Sequence, residues 1–215
     1  MERYIREPIN GLTHLAGAIL AVIGLVFLMI KGDQTLSSTL ELGSLIVFGL
    51  SMFLLYSASA TYHMVIASSP VIAWLRRLDH SMIYVLIAGT YTPFCVITLQ
   101  GTLGWVVLII IWSAAISGIL FKLIWFHSPR WLSTGLYILM GWLIIFAVSP
   151  LSASLALPGL ILLIAGGVIY TLGGVIYALK PKWLESKYLG FHEIFHLFIL
   201  AGSLAHFLSI YFYVI

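Results

Sequence analysis

The chain has 215 residues, 62% of them hydrophobic and 8% charged, with a net charge of +3. Soluble domains carry roughly 25% charged residues, so a water-soluble globule is excluded, and so small a positive charge gives no footing for nucleic acid. A mean hydropathy of +1.13 in long continuous apolar runs also excludes an outer-membrane barrel, whose strands alternate, and leaves an all-α integral membrane bundle.

A helix needs about 20 apolar residues to cross the hydrocarbon. Seven segments qualify: 12–30, 40–62, 80–99, 104–124, 132–149, 157–179 and 190–213. The first follows Arg3 and Arg6, as a signal-peptide core would. It is too long for such a core, and Lys31-Gly32-Asp33 offers no small-residue cleavage site, so it reads as a retained span. Pro93 is expected to kink the third span or end its regular part. Gly141, Gly166-Gly167 and Gly173-Gly174 lie within spans, where small residues let helices approach closely. The single cysteine, Cys95, has no partner for an intrachain disulfide and no thiolate neighbour for a metal. Connections are short and composition is uniform, so residues 1–215 read as one domain.

With seven spans, the amino-terminal tail and the second, fourth and sixth loops share one face. That face holds Arg3, Arg6, Arg76, Arg77, Lys122, Arg130, Lys180, Lys182 and Lys187, against Lys31 alone on the other. The positive-inside rule then puts the amino terminus in the cytoplasm, the carboxyl terminus outside, and the chain in the cell membrane.

Span parity brings distant polar groups to one depth. The second span ends on the cytoplasmic side with Tyr56, Ser59 and His63 on one helical stripe. The third begins there with Asp79-His80, the seventh with His192 and His196, and the first with Glu7, Asn10 and His14. His63, His192 and His196 form a donor set for Zn²⁺ with a fourth position left for water, the pattern of catalytic zinc. Asp79 is expected to accept a proton or bind the zinc water, and Ser59 to donate a hydrogen bond to a developing oxyanion. His192-Glu193-Ile194-Phe195-His196 satisfies H-E-x-x-H literally, which keeps Glu193 as a second candidate base, although a loop-facing charge fits the helical wheel as well. His14 reads as a buried hydrogen-bonding group beside the site rather than a ligand. Glu7 and Asn10 either cap the first helix or orient the cluster. His80 and His127 read as interfacial, and His206 as an interhelical hydrogen-bonding group. Trp74, Trp125, Trp131 and Trp183 read as an interfacial belt.

Several of these residues fall into a recognisable order: Glu7-x-x-Asn10-x-x-Thr13-His14-x-x-Gly17, Ser59-x-x-x-His63, Leu78-Asp79, Gly89-x-x-x-Pro93 and His192-x-x-x-His196. The chain thereby resembles the progestin and adipoQ receptor family, in its bacterial haemolysin III branch. The resemblance implies a seven-helix bundle with cytoplasmic-side zinc on His63, His192 and His196, and Asp79 acting through the zinc water. It also implies kinship with adiponectin receptors and with alkaline ceramidases, whose metal cleaves a lipid amide. The long extramembrane amino-terminal domain of the animal receptors is missing, so hormone binding is not carried over. Three functions are left: a zinc-dependent hydrolase of a lipid amide, a sensor of membrane lipid with structural zinc, and a cytolysin. Seven ordinary spans with inward positive charge speak against the last. Membrane lipids, as substrate or ligand, are the expected partners.

Overall fold

The computed structural model describes residues 4–125, 127–186 and 189–215. Among the described residues the long elements are all helices: α1 (Pro8–Thr35), α2 (Thr39–Met64), α3 (Ser69–Pro93), α4 (Gly101–Ile124), α5 (Arg130–Gly141), α6 (Val148–Ser154), α7 (Leu157–Leu179) and α8 (Phe191–Ser209). With α5 and α6 forming one broken span, seven helical segments are long and apolar enough to cross a membrane. Arg3 and Lys187, which enter the orientation count, lie outside the described residues.

Side chains such as Leu20, Ile109 and Phe146 point out of the bundle and are more than 60% exposed. In a membrane these are the surfaces that meet lipid tails. Trp74, Trp125, Trp131 and Trp183 are likewise exposed near helix ends, as an interfacial belt requires. Ser38 opens α2 with a capping box, its Oγ accepting from the Leu40 amide at 3.2 Å while Glu41 accepts from the Ser38 amide at 3.3 Å.

The third span begins at Ser69, well before the expected residue 80. Arg76, Arg77 and Asp79 dilute the hydropathy of its first turns, but Pro70 is well placed to start a helix. Its far end behaves as expected. Pro93 has no N–H to offer the preceding turn, and the helix passes into a wider π-helical stretch over Phe94–Leu99.

The fifth span departs from the continuous helix expected over 132–149. After Gly141 the chain tightens into a 3₁₀ stretch, Trp142–Ala147, before α6 resumes. Tyr91 of the third span stabilises this break: its hydroxyl donates to the Gly141 carbonyl at 2.7 Å and accepts from the Ile144 amide at 2.7 Å. Gly141 itself has open space where a Cβ would stand, so the close-packing reading fails there. It holds for Gly166, which lies against the His206 ring, and for Gly173, which lies against Phe198. In mid-bundle, Ser203 of α8 accepts from Tyr56 of α2 at 2.6 Å and shares a 2.7 Å hydrogen bond with Tyr170 of α7. A buried polar group in hydrocarbon needs such a partner, and this one fixes three helices at one level.

Candidate metal centre

The site is built where the amino-terminal tail folds back on the end of α2. The Glu7 amide donates to the His63 carbonyl at 2.9 Å, and Arg6 reaches the Tyr62 carbonyl at 2.5 Å while its guanidinium covers the Tyr62 ring. These contacts set the Glu7 carboxylate against the imidazole of His63, with Oε2 2.5 Å from Nδ1. Glu7 stands at the position that caps α1, but its side chain makes no capping hydrogen bond. Of its two expected roles, orientation of the cluster is the one realised. The hydrogen bond from His63, first among its surroundings, holds the Glu7 carboxyl below the ordinary carboxylate range.

A proton on Nδ1 shared with Glu7 leaves Nε2 of His63 as a lone pair. That nitrogen faces Nε2 of His192 at 3.4 Å. Two imidazole nitrogens each about 2.05 Å from a tetrahedral zinc are about 3.3–3.4 Å apart. His196, one turn further along α8, completes a group whose donor atoms all lie within 4.8 Å of one another. His63 and His196 are almost wholly buried, and the pairwise ring centroids of the three are 4.7 to 5.1 Å apart. Three convergent imidazoles beside one carboxylate offer a donor set that suits a divalent cation.

His14 is brought to the site. Its ring stacks on His196 at 3.7 Å with planes 8° apart, and neither ring nitrogen has a hydrogen-bond partner. The edge of the Tyr56 ring closes it off at 5.1 Å. It lies beside the site as a buried group and shapes the pocket wall behind His196. Glu193 departs from expectation. Its carboxylate accepts from Asn10 Nδ2 at 2.7 Å and from the Gly190 amide at 2.9 Å, so it joins α1 to the first turn of α8. It points neither into a loop nor at the imidazoles, and Asn10 is its partner instead of a cap.

Asp79 and Ser59 are both buried and line one cavity of ≈ 180 Å³ together with His14, His192 and His196. Ser59 Oγ lies beside the Asp79 carboxyl, its near polar neighbour. Since Glu7 and Glu193 are each engaged elsewhere, Asp79 is the carboxylate among the described residues that this cavity presents. The cavity continues through apolar residues of α7, Leu160, Leu163 and Ile164, as far as His206. His206 packs on Tyr170 at 5.2 Å and its Nδ1 has no partner, so it lines the cavity and does not bridge helices through that nitrogen. His80 lines the same space rather than the interface.

The family described as haemolysin-III related matches residues 2–207. The chain is 43% identical to Hemolysin-3 of Bacillus cereus over 216 residues, covering 100% of this chain and 95% of that one. It is also 43% identical to the Hemolysin-3 homolog of Bacillus subtilis (strain 168) over 210 residues, covering 97% and 95%. The chain belongs to the haemolysin III-related family. With seven spans it is a multi-pass membrane protein of that family, and all nine residues picked from the sequence fall within the matched region.

Lys122 and Arg130, counted in the sequence only for orientation, also line the cavity. The signal for Lys122 was present: a lone charge inside Ile119-Leu120-Phe121-Lys122-Leu123-Ile124 has no reason to be there unless it has a use.

The Glu7–His63 contact makes its own prediction. Loss of an outer-shell carboxylate typically costs 10–100-fold in metal affinity, so Glu7→Gln should weaken zinc binding by about that factor, read by competition with a calibrated chelator. A carboxyl depressed in the folded protein stabilises it above the unfolded value, near 4.3, and that contribution is lost as pH falls through the folded value. The stability difference between wild type and Glu7→Gln should therefore narrow in acid. A constant difference down to pH 3 would contradict the assignment.

Proposed function

We propose that the protein is a zinc-dependent hydrolase of an amide bond in a membrane lipid, with His63, His192 and His196 as metal ligands. The 3.4 Å approach of two imidazole nitrogens carries this reading, because it matches one edge of a tetrahedral site. Bound zinc supplies a Lewis acid and brings the pKa of its water to about 7. The protein's own groups do the rest. Glu7 fixes the tautomer and orientation of His63. Asp79, lining the cavity beside the imidazoles, takes the proton of the attacking water and returns it to the leaving amine. Ser59, whose hydroxyl lies beside the Asp79 carboxyl, donates to the carbonyl oxygen as charge develops there. The apolar walls along α7 accept an acyl chain. The sequence resemblance to adiponectin receptors and alkaline ceramidases supports the same chemistry, and the distribution of Lys and Arg supports a site on the cytoplasmic side.

The test is turnover of a panel of lipid amides in liposomes by the purified full chain, before and after metal stripping and with zinc restored. Cleavage that disappears on stripping and returns with zinc is the expected result. Absence of cleavage across the panel by zinc-loaded protein would reject the hydrolase. A second reading comes from the relatives' names, which point to haemolysis. It predicts dye release from liposomes at low protein dose, independent of zinc.

A further inference from the structure

Lys122 is 3% exposed, near the end of α4. Its Nζ donates to Ser128 Oγ at 3.1 Å and to Ser133 Oγ at 2.5 Å, and the two hydroxyl oxygens are 3.1 Å apart. Among the described residues no carboxylate forms an ion pair with it. A buried ammonium held only by hydroxyls lacks a counter-charge, and burial of an uncompensated charge is strongly unfavourable.

Counting donors shows what is missing. An ammonium has three N–H groups and two are used by the serines, so one is left. One serine hydroxyl proton is spent on the other serine, which leaves the second free to point elsewhere. Next to them, Thr134 Oγ1 and Arg130 Nη1 are buried without hydrogen-bond partners. The Arg130 guanidinium is held in place over the rings of Tyr177 and Phe191, at 5.4 and 5.7 Å. Lys122, Ser128, Arg130, Ser133 and Thr134 all line the cavity that contains the imidazoles. Four unused donors and two positive charges therefore line one cavity, and among the described residues no acceptor meets them. A carboxylate has two oxygens for such a cluster, whereas a phosphate has three or more on a tetrahedral frame.

We propose that Lys122, Arg130, Ser133 and Thr134 form a phosphate-binding subsite at the mouth of this cavity. The apolar space beyond it suits the chains of a phospholipid, while free phosphate presents the same oxygens. The inference rests on the reading of the cavity as the ligand's, not on hydrolysis, and it adds that the ligand carries an anionic phosphate.

The experiment is equilibrium retention of lipid by the full-length protein in a neutral detergent, counted per protein by native mass spectrometry. Phosphatidic acid and a diacylglycerol with the same chains are compared, with inorganic phosphate as competitor. Wild type should retain phosphatidic acid about ten- to a hundredfold better than diacylglycerol. Lys122→Met should lose that preference, with zinc content unchanged. Ser133→Ala and Arg130→Gln should each reduce it, which keeps the test available if Lys122→Met does not fold. If millimolar inorganic phosphate binds wild type and displaces the lipid, the subsite holds and accepts the soluble ion as well. If only the lipid binds, the subsite holds for the headgroup. Equal retention of the two lipids by wild type, or an undiminished preference in all three variants, overturns it. Because retention is read without turnover, an inactive protein that still prefers phosphatidic acid would reject the hydrolase and leave the subsite standing.

Discussion

Alanine in place of His63 should leave the purified protein with less than about a tenth of the zinc that wild type keeps through dialysis against a weak chelator. The two remaining imidazoles, His192 and His196, are one turn apart on α8 and form an incomplete set on a single helix. His63 is the ligand that brings α2 to them, and it is the one whose orientation is fixed from outside by Glu7. Loss of metal removes a link between helices far apart in sequence. A ligand at a thousand times its dissociation constant stabilises the folded state by about 4 kcal/mol, so zinc-dependent thermal stabilisation should be large in wild type and nearly absent in His63→Ala. Full zinc occupancy in the variant, or none in wild type, would remove His63 from the ligand set.

Asp79→Asn should separate chemistry from metal binding. The substitution keeps size and shape but removes the carboxylate's capacity to accept a proton. General acid–base groups contribute typically 10²–10⁴-fold, and turnover of a responsive lipid amide should fall by about that factor. Zinc occupancy should stay within about twofold, since Asp79 is outside the group of imidazoles that converge. Parallel loss of zinc and activity would make Asp79 a supporting residue of the metal. Unchanged turnover would exclude it as the base and return attention to Glu193 and Glu7, the carboxylates held by Asn10 and His63.

The helical class, the number of spans and most of their bounds were legible because apolar length alone decides what crosses a membrane. The sixth span is the clearest case, expected over 157–179 and found as Leu157–Leu179. The convergence of His63, His192 and His196 was legible for a related reason, since an odd or even number of crossings fixes the end at which each residue stands. What parity cannot give is which way a side chain turns. Glu193 sits between His192 and His196 in sequence, yet rotation about the helix sends it to Asn10. His14 is at the expected depth, but that its ring stacks on His196 could not be read from the sequence. The break in the fifth span was hidden because Gly141, where it starts, reads equally well as a packing glycine, and because Pro150, which has no N–H for the Phe146 carbonyl, lies just past the expected end at 149. Lys122 was misread because a loop charge and a buried one look alike to a count of positive residues.

That break gives Tyr91 a burden disproportionate to its size. One phenolic oxygen bonds both the Gly141 carbonyl and the Ile144 amide, the two peptide groups that open the 3₁₀ stretch. Phenylalanine there would preserve the ring's packing while removing both of these hydrogen bonds. The bent fifth span, and with it the wall where Trp142 and Ile144 border the cavity, is thus pinned to the third span by a single oxygen.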